Sequence, residues 1–109
     1  MIAKPSPVLV HATSVVLATA ARAFGGPEDA AVLLLGDSGS GKSDLALRLM
    51  QAGARLISDD QTLLFVKGKR LFAAAPERTE GLMEVRGVGI IRVAAAGEAP
   101  IVQIGRAHV

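Results

Sequence analysis

The chain has 109 residues, of which 50% are hydrophobic, only 3% are aromatic and none is cysteine. This length fits one domain with an aliphatic core, and the lack of cysteine excludes disulfides, thiolate metal sites and a cysteine nucleophile. The formal net charge is +2, and the lysine and arginine residues are scattered without aromatic residues between them. This pattern favours a solvated surface over a nucleic-acid interface.

Two apolar stretches precede the first motif. Residues 8–17 are rich in valine and leucine, which predicts a bent strand or one arm of a hairpin. Residues 30–35 form an unbroken apolar run, which is typical of a strand buried on both faces of a parallel sheet.

The second apolar stretch leads into a complete phosphate-binding loop, G-x-x-x-x-G-K-S. Its glycines allow a tight curl that points backbone N–H groups at phosphate oxygens, and a helix that begins at its end adds a positive dipole. In such a loop Lys42 reaches the outer phosphates, and the Ser43 hydroxyl binds the magnesium that accompanies the nucleotide. The predicted nucleotide-binding residues are Gly36, Asp37, Ser38, Gly39, Ser40, Gly41, Lys42 and Ser43.

A helix and a second strand follow the loop. Residues 44–52 are rich in good helix formers, and Gly53 stands where a left-handed C-cap belongs. Residues 55–58 predict a short strand that ends in Asp59-Asp60. Strand, loop, helix and strand make a right-handed βαβ unit, which brings the carboxyl ends of both strands to one edge of the sheet. We therefore expect the aspartate pair to lie beside the phosphate loop.

The aspartate pair suits phosphoryl transfer. Beside bound phosphates, one carboxylate can help to hold magnesium while the other accepts a proton from an attacking hydroxyl. Successive side chains of a strand point to opposite faces, so we expect Asp59 and Asp60 to have different roles, which the sequence does not assign. The alternative is a turn that merely ends the strand.

The next segment predicts a hairpin. Residues 61–66 and 70–74 have strand character, and Lys67-Gly68-Lys69 between them has its glycine where a positive φ is needed. The predicted fold class is therefore α/β, a P-loop kinase-like core with a βαβ unit around the phosphate loop and additional β-hairpin strands.

A third strand-prone segment covers residues 81–91 and contains several glycines. Glycine inside a strand pattern indicates a bulge or a close approach of the backbone to a ligand. Glu84 and Arg86 are two residues apart and so would share one face of a strand. They would form a surface ion pair or turn toward the phosphates.

Three segments resemble the catalytic domain of the HPr kinase/phosphorylase family. They are the phosphate loop with Asp44, Leu56-Ile57-Ser58-Asp59-Asp60, and Glu84-Val85-Arg86-Gly87-Val88-Gly89-Ile90-Ile91. Family members phosphorylate a serine of the phosphocarrier protein HPr with ATP or pyrophosphate, and they remove that phosphate by phosphorolysis. The resemblance implies an Mg²⁺-dependent serine kinase and phosphorylase that regulates carbohydrate metabolism through the phosphotransferase system.

The resemblance also implies roles for individual residues. One aspartate of the pair would be the general base that deprotonates the HPr serine, and Arg86 would shape the reverse reaction. His11 matches a histidine near the family's site, although this chain has extra residues between it and the loop. The implied catalytic residues are Asp59, Asp60, Lys42, His11 and Arg86, and the implied magnesium ligands are Ser43 and Glu84.

We expect a cytoplasmic enzyme whose partner is HPr, without nucleic-acid or membrane contacts. The N-terminal residues loosely resemble a secretion signal, but Pro5, Pro7 and polar residues interrupt the pattern, and a nucleotide-dependent enzyme would find no ATP outside the cell. The apolar run is also too interrupted to span a bilayer. The family tends to form hexamers, but the residues that would do so are expected to be missing here.

The C-terminal end departs from the family pattern. Family members continue into a segment with an active arginine and into helices that help to bind HPr and join subunits. The last six residues, Ile104-Gly105-Arg106-Ala107-His108-Val109, match one reading frame of a sequencing adapter. We therefore expect residues 1–103 to be an incomplete HPr kinase-like domain and residues 104–109 a non-native tail, with a genuine short tail as the alternative.

Two further interpretations of the function are a P-loop kinase for a small molecule and an inactive nucleotide-binding fragment.

Overall fold

The sequence alternates short β-branched or aliphatic runs with glycine-containing turns, and the fold is accordingly rich in strands. The computed structural model describes residues 6–17, 30–37 and 40–106. Within these residues there are eight strands, one α-helix and a 3₁₀ turn. The strands are β1 Val8–Val16, β2 Ala31–Leu35, β3 Arg55–Ser58, β4 Gln61–Lys67, β5 Arg70–Ala74, β6 Leu82–Val85, β7 Gly89–Arg92 and β8 Ala99–Arg106; the helix is α1 Lys42–Gln51, and the 3₁₀ turn is Glu77–Thr79.

Six strands form one mixed sheet in the order β2-β8-β5-β4-β1-β3. Strand β1 bends between partners, since residues 8–11 pair with β4 and residues 12–16 pair with β2 or β3. Because β1 also pairs with β2, the sheet closes on itself through five successive strand pairings. The strands involved are β2, β8, β5, β4 and β1. The predicted bent strand over residues 8–17 is confirmed.

The βαβ unit is present, with another strand inserted into it. Strands β2 and β3 are both antiparallel to β1, which lies between them, and the parallel neighbour of β2 is β8. The sheet around the loop is therefore mixed, with one parallel neighbour of β2, and the expectation of a wholly parallel sheet is not met because β1 fills the space between β2 and β3. The crossover through α1 still brings the ends of β2 and β3 to the same edge.

The core has one layer on each face of the sheet. Strand β2 is buried on both faces, as its apolar run predicted. Burying one such aliphatic side chain contributes about 1.5–3 kcal/mol, so the strand that carries the phosphate loop is firmly held. The layer under α1 contains Val15, Val32, Leu34, Ala46, Ala54, Leu56 and Met83, and the layer on the opposite face contains Val16, Ala31, Ile57, Ala73 and Ala99.

Helix α1 ends as its sequence predicts. Gly53 has φ 110, and the backbone N–H groups of Gly53 and Ala54 donate to carbonyls of the last helical turn. The left-handed cap is therefore confirmed, and it returns the chain into β3.

Two hairpins complete the fold. The hairpin of β4 and β5 is confirmed, with Lys67 paired to Arg70 and Gly68 at φ 64. The glycine-rich segment is a second hairpin, β6 and β7, in which Val85 pairs with Gly89. Because β6 ends at Val85, Arg86 lies in the turn. The expectation that Glu84 and Arg86 share one face of a strand is therefore wrong.

Several predictions concern residues at or beyond the ends of the described ranges. Ser38, Gly39 and residues 107–109 lie outside the described residues. Residues 104–106 are the last three of β8 and pair with residues 33–35 of β2. The non-native origin of the tail stays a prediction, because strand pairing uses backbone groups that any sequence supplies. Within the described part of the chain, no helix is long and apolar enough to cross a membrane.

Candidate functional site

The phosphate loop connects β2 to the N-terminus of α1. Gly41 is the N-cap of α1 and has φ 95, a conformation that favours glycine. Within the described part of the chain, no side chain caps the helix at this end. The first N–H groups of a helix have no partner within it, so this end of α1 presents donors to an anion.

Gly36 and Ser40 lie close together in the loop. A Cβ at Gly36 would lie 2.3 Å from Ser40 Oγ, so a larger residue would displace the Ser40 side chain. Ser40 Oγ is buried and has no hydrogen-bond partner among the described residues. A buried hydroxyl without a partner is costly. The loop therefore fits an acceptor such as a phosphate oxygen.

Lys42 carries the positive charge of the site. Its Nζ donates to the carbonyl oxygens of Gly36 and Asp37 at 2.6 and 2.8 Å, and it lies 3.1 Å from Asp60 Oδ1. The Lys42 side chain is only 3% exposed. A buried ammonium needs such acceptors, and phosphate oxygens would meet the same need.

Asp59 joins three parts of the site. Its Oδ1 accepts hydrogen bonds from Ser43 Oγ at 2.6 Å and from Thr13 Oγ1 at 3.1 Å. Its Oδ2 accepts one from the backbone N–H of Glu84 at 2.9 Å. Asp59 is buried, so these donors take the place of water around the carboxylate. One side chain thus connects α1, β1 and β6.

Asp60 has a different environment from its neighbour. Its side chain is 44% exposed and pairs with Lys42, and its φ is 65. Its backbone N–H donates to Thr13 Oγ1 at 3.0 Å. The chain therefore leaves the strand conformation at Asp60, and the Asp60 side chain lies beside the phosphate loop, as the βαβ unit predicts.

A cavity of about 320 Å³ opens in front of these groups. It brings together six of the predicted site residues: Gly41, Lys42, Ser43, Asp60, Glu84 and Arg86. Among the described residues, its lining is Gly41, Lys42, Ser43, Asp44, Asp60, Glu84, Val85, Arg86, Gly87 and Gly89.

His11 does not line the cavity. It is exposed on β1, where it pairs with Gln61. It lies two residues before Thr13, which is about 7 Å along a strand. Its place near the site stays a prediction.

The donor set suits a magnesium ion shared with a substrate. Within the described ranges, no cluster of three His, Cys, Asp or Glu residues could hold a metal ion by itself. Ser43 and Glu84 both line the cavity and are both tied to Asp59. Protein-bound Mg²⁺ commonly takes one or two protein ligands and completes its shell with phosphate oxygens and water. The two residues fit such a site.

Thr13 was missed by the sequence reasoning. It is completely buried and contacts both aspartates. A threonine in a β-rich strand has no distinctive pattern, and its partners are more than forty positions away in the chain. Only the antiparallel placement of β1 beside β3 reveals the contact.

Comparisons with known proteins agree with this geometry. The HPr kinase/phosphorylases of Mycoplasmopsis pulmonis and Limosilactobacillus reuteri are 50% and 48% identical over 62 and 63 residues. Each match covers 57% of this chain and 20% of the relative, so the chain spans about a fifth of the length of these relatives.

A solved structure and a family model extend the match. The structure of the HPr(Ser) kinase/phosphatase from Coxiella burnetii matches with a TM-score of 0.72 and 25% identity, over 90% of this chain and 58% of that chain. It confirms the α/β fold class. Residues 28–103 match the model of the HPr serine kinase C-terminal domain, and since this is most of the sequence, the chain belongs to that family.

Proposed function

We propose that this chain is the nucleotide-binding part of a kinase and phosphorylase that transfers the γ-phosphate of ATP to a serine of HPr. The observation that carries the proposal is the convergence of Lys42, Ser43, Glu84 and Asp60 on one cavity. HPr is proposed as the phosphate acceptor because the similar relatives are named HPr kinase/phosphorylase. Because the donor is ATP, the enzyme would act in the cytoplasm, in the regulation of carbohydrate metabolism.

The donor phosphates would bind in the loop of residues 36–43. The open N-terminus of α1 and the buried Ser40 hydroxyl would donate hydrogen bonds to them. Phosphate oxygens would compete with Asp60 and the loop carbonyls for the Lys42 ammonium. Positioning and charge stabilisation supply most of the rate in phosphoryl transfer, and these groups provide both.

Ser43 and Glu84 would be the magnesium ligands. Ser43 donates its hydroxyl proton to Asp59, which leaves the oxygen lone pairs free for a cation. Asp59 also holds the backbone of Glu84 at the cavity. When bound, the ion neutralises charge on the transferred phosphoryl group. Asp59 thus acts in this proposal by orienting both ligands.

Asp60 is the better candidate for the general base. The oxygens of Asp59 accept three hydrogen bonds, whereas the Asp60 carboxylate is 44% exposed at the cavity. In the forward reaction the serine Oγ attacks the γ-phosphorus, its proton passes to Asp60, and the bond to the bridging oxygen breaks to release ADP. In phosphorolysis, phosphate attacks the phosphoserine phosphorus, and protonated Asp60 returns the proton to the departing serine oxygen, which yields pyrophosphate.

Arg86 and His11 have supporting places in the proposal. Arg86 lies in the turn between β6 and β7 at the mouth of the cavity. Its guanidinium could bind phosphate oxygens there in the reverse direction. His11 would act from the exposed part of β1 next to the site.

The test is transfer of labelled γ-phosphate from Mg-ATP to purified HPr. We expect label on an HPr serine with this chain and a loss of at least about 100-fold in Lys42→Ala. Asp60→Asn should slow transfer by about 10²–10⁴-fold while ATP still binds. Asparagine is the matched change because it tolerates a positive φ.

Other outcomes point to the alternatives. Bound ATP without transfer to any acceptor would identify an inactive fragment. Transfer to a small molecule in place of HPr would identify a different P-loop kinase. Full activity in Asp60→Asn would show that the base is not Asp60.

A further inference from the structure

We propose that Thr13 is a positioning residue that sets the orientation of both aspartates through one hydroxyl. The inference rests on the proposed function, because it assigns Thr13 a part in the same phosphoryl transfer. Thr13 is 0% exposed and lies on β1 directly beside the end of β3.

The Thr13 hydroxyl is bonded on both sides. Its proton goes to Asp59 Oδ1 at 3.1 Å, and its oxygen accepts the backbone N–H of Asp60 at 3.0 Å. A hydroxyl has a single proton, and both partner groups have fixed polarity, so only this arrangement satisfies the three groups. The hydroxyl therefore links the carboxylate of one aspartate to the backbone of the next.

The link matters because the Asp60 backbone is in an unfavourable conformation. Asp60 has φ 65, and a residue other than glycine keeps such a torsion only where its surroundings hold it. The bond from the Asp60 N–H to Thr13 fixes the peptide unit that precedes this torsion. It thereby helps to hold the turn from which the Asp60 carboxylate reaches Lys42. Loss of the Thr13 hydroxyl should therefore misplace the Asp60 carboxylate while ATP still binds to the phosphate loop.

Ser14 provides a matched control. It is the next residue of β1 and is also 0% exposed. Its Oγ lies 3.0 Å from Thr62 Oγ1, and Thr62 in turn donates to the carbonyl oxygen of Ala12. Ser14→Ala therefore removes a buried hydroxyl from the same strand without touching a bond to either aspartate.

The first experiment compares kcat for transfer to HPr with the Kd for ATP. Thr13→Val keeps the side-chain shape and should lower kcat at least about tenfold, with the Kd for ATP within about threefold of the parent value. Thr13→Ser keeps the hydroxyl and should restore kcat to within about threefold. Thr13→Ala is a second deletion for which we expect the same loss of kcat, and Ser14→Ala should keep the parent kcat. All are assayed below the unfolding midpoint of the least stable variant.

The second experiment measures hydrogen exchange at the Asp60 backbone amide by NMR, which needs no activity. Thr13→Val should exchange at least about tenfold faster at this amide, and Ser14→Ala should not. Unchanged exchange in Thr13→Val would overturn the geometry. An unchanged kcat in Thr13→Val, or an equal loss in Ser14→Ala, would overturn the positioning role. If the parent chain transfers no phosphate, the proposed function fails, and the positioning role of Thr13 fails with it. The exchange result still decides whether Thr13 holds the Asp60 backbone.

Discussion

The two aspartates should differ sharply in their effect on the free energy of unfolding. Asp59→Ala leaves the hydroxyls of Thr13 and Ser43 and the backbone N–H of Glu84 without their acceptor. Hydrogen bonds to a charged group contribute about 1.5–3 kcal/mol each. The three bonds share one acceptor and are not additive, and relief of the buried charge offsets part of the loss. We expect Asp59→Ala to destabilise the fold by about 3–5 kcal/mol.

Asp60→Ala should cost less, because it breaks a half-exposed contact. The ion pair with Lys42 has a carboxylate that is 44% exposed, and Lys42 keeps its two carbonyl acceptors. Such a pair contributes at most about 1 kcal/mol. Alanine at a positive φ adds about 1 kcal/mol of strain. The total stays below about 2 kcal/mol.

Urea unfolding followed by circular dichroism measures both variants against the parent chain. A loss from Asp59→Ala that exceeds the loss from Asp60→Ala by more than about 1 kcal/mol supports the division between a buried connector and an exposed carboxylate. Equal losses, or a larger loss for Asp60→Ala, would refute it.

Two further predictions concern the loop and the metal ligands. Gly36→Ala places a Cβ 2.3 Å from Ser40 Oγ and should weaken ATP binding at least about tenfold in a fluorescent-nucleotide titration. Gly53→Ala is the control. Gly53 also has a positive φ, but a Cβ there would meet no atom within 4 Å, so the ATP affinity of this variant should equal that of the parent. Glu84→Gln keeps the backbone bond to Asp59 and should raise the Mg²⁺ concentration for half-maximal transfer about tenfold. An unchanged Mg²⁺ titration would contradict the assignment of Glu84 as a ligand.

Local patterns predicted the elements around the loop well. The bounds of β3 and β5 agree with those expected from sequence, because a turn precedes each of them and a residue that interrupts a strand follows, Asp59 after β3 and Pro76 after β5. The insertion of β1 between β2 and β3 depends on contacts between distant segments, which no local pattern encodes. Strand β8, the parallel neighbour of β2, was not predicted.

The site was predicted in its composition but not in its arrangement. The loop motif and the family resemblance identified Lys42, Ser43 and Glu84, which all line the cavity. Neither could choose between adjacent aspartates, because the choice depends on burial and hydrogen bonding. His11 is exposed on β1 and is not among the residues that line the cavity, so its role stays a prediction.

The different environments of the two aspartates come from a break in the strand period. In a regular strand Asp59 would share a face with Ile57, which packs in the layer away from α1. The register of β3 shifts, however: Val15 pairs with Leu56 and the preceding Ser14 pairs with Ser58, so one extra residue is accommodated as a bulge. Asp59 then lies on the same side as Leu56, within reach of α1. The positive φ of Asp60 next turns the chain outward to the cavity. Alternation along a strand predicts different directions for the two side chains, but the bulge and this one torsion are what separate a buried connector from an exposed carboxylate.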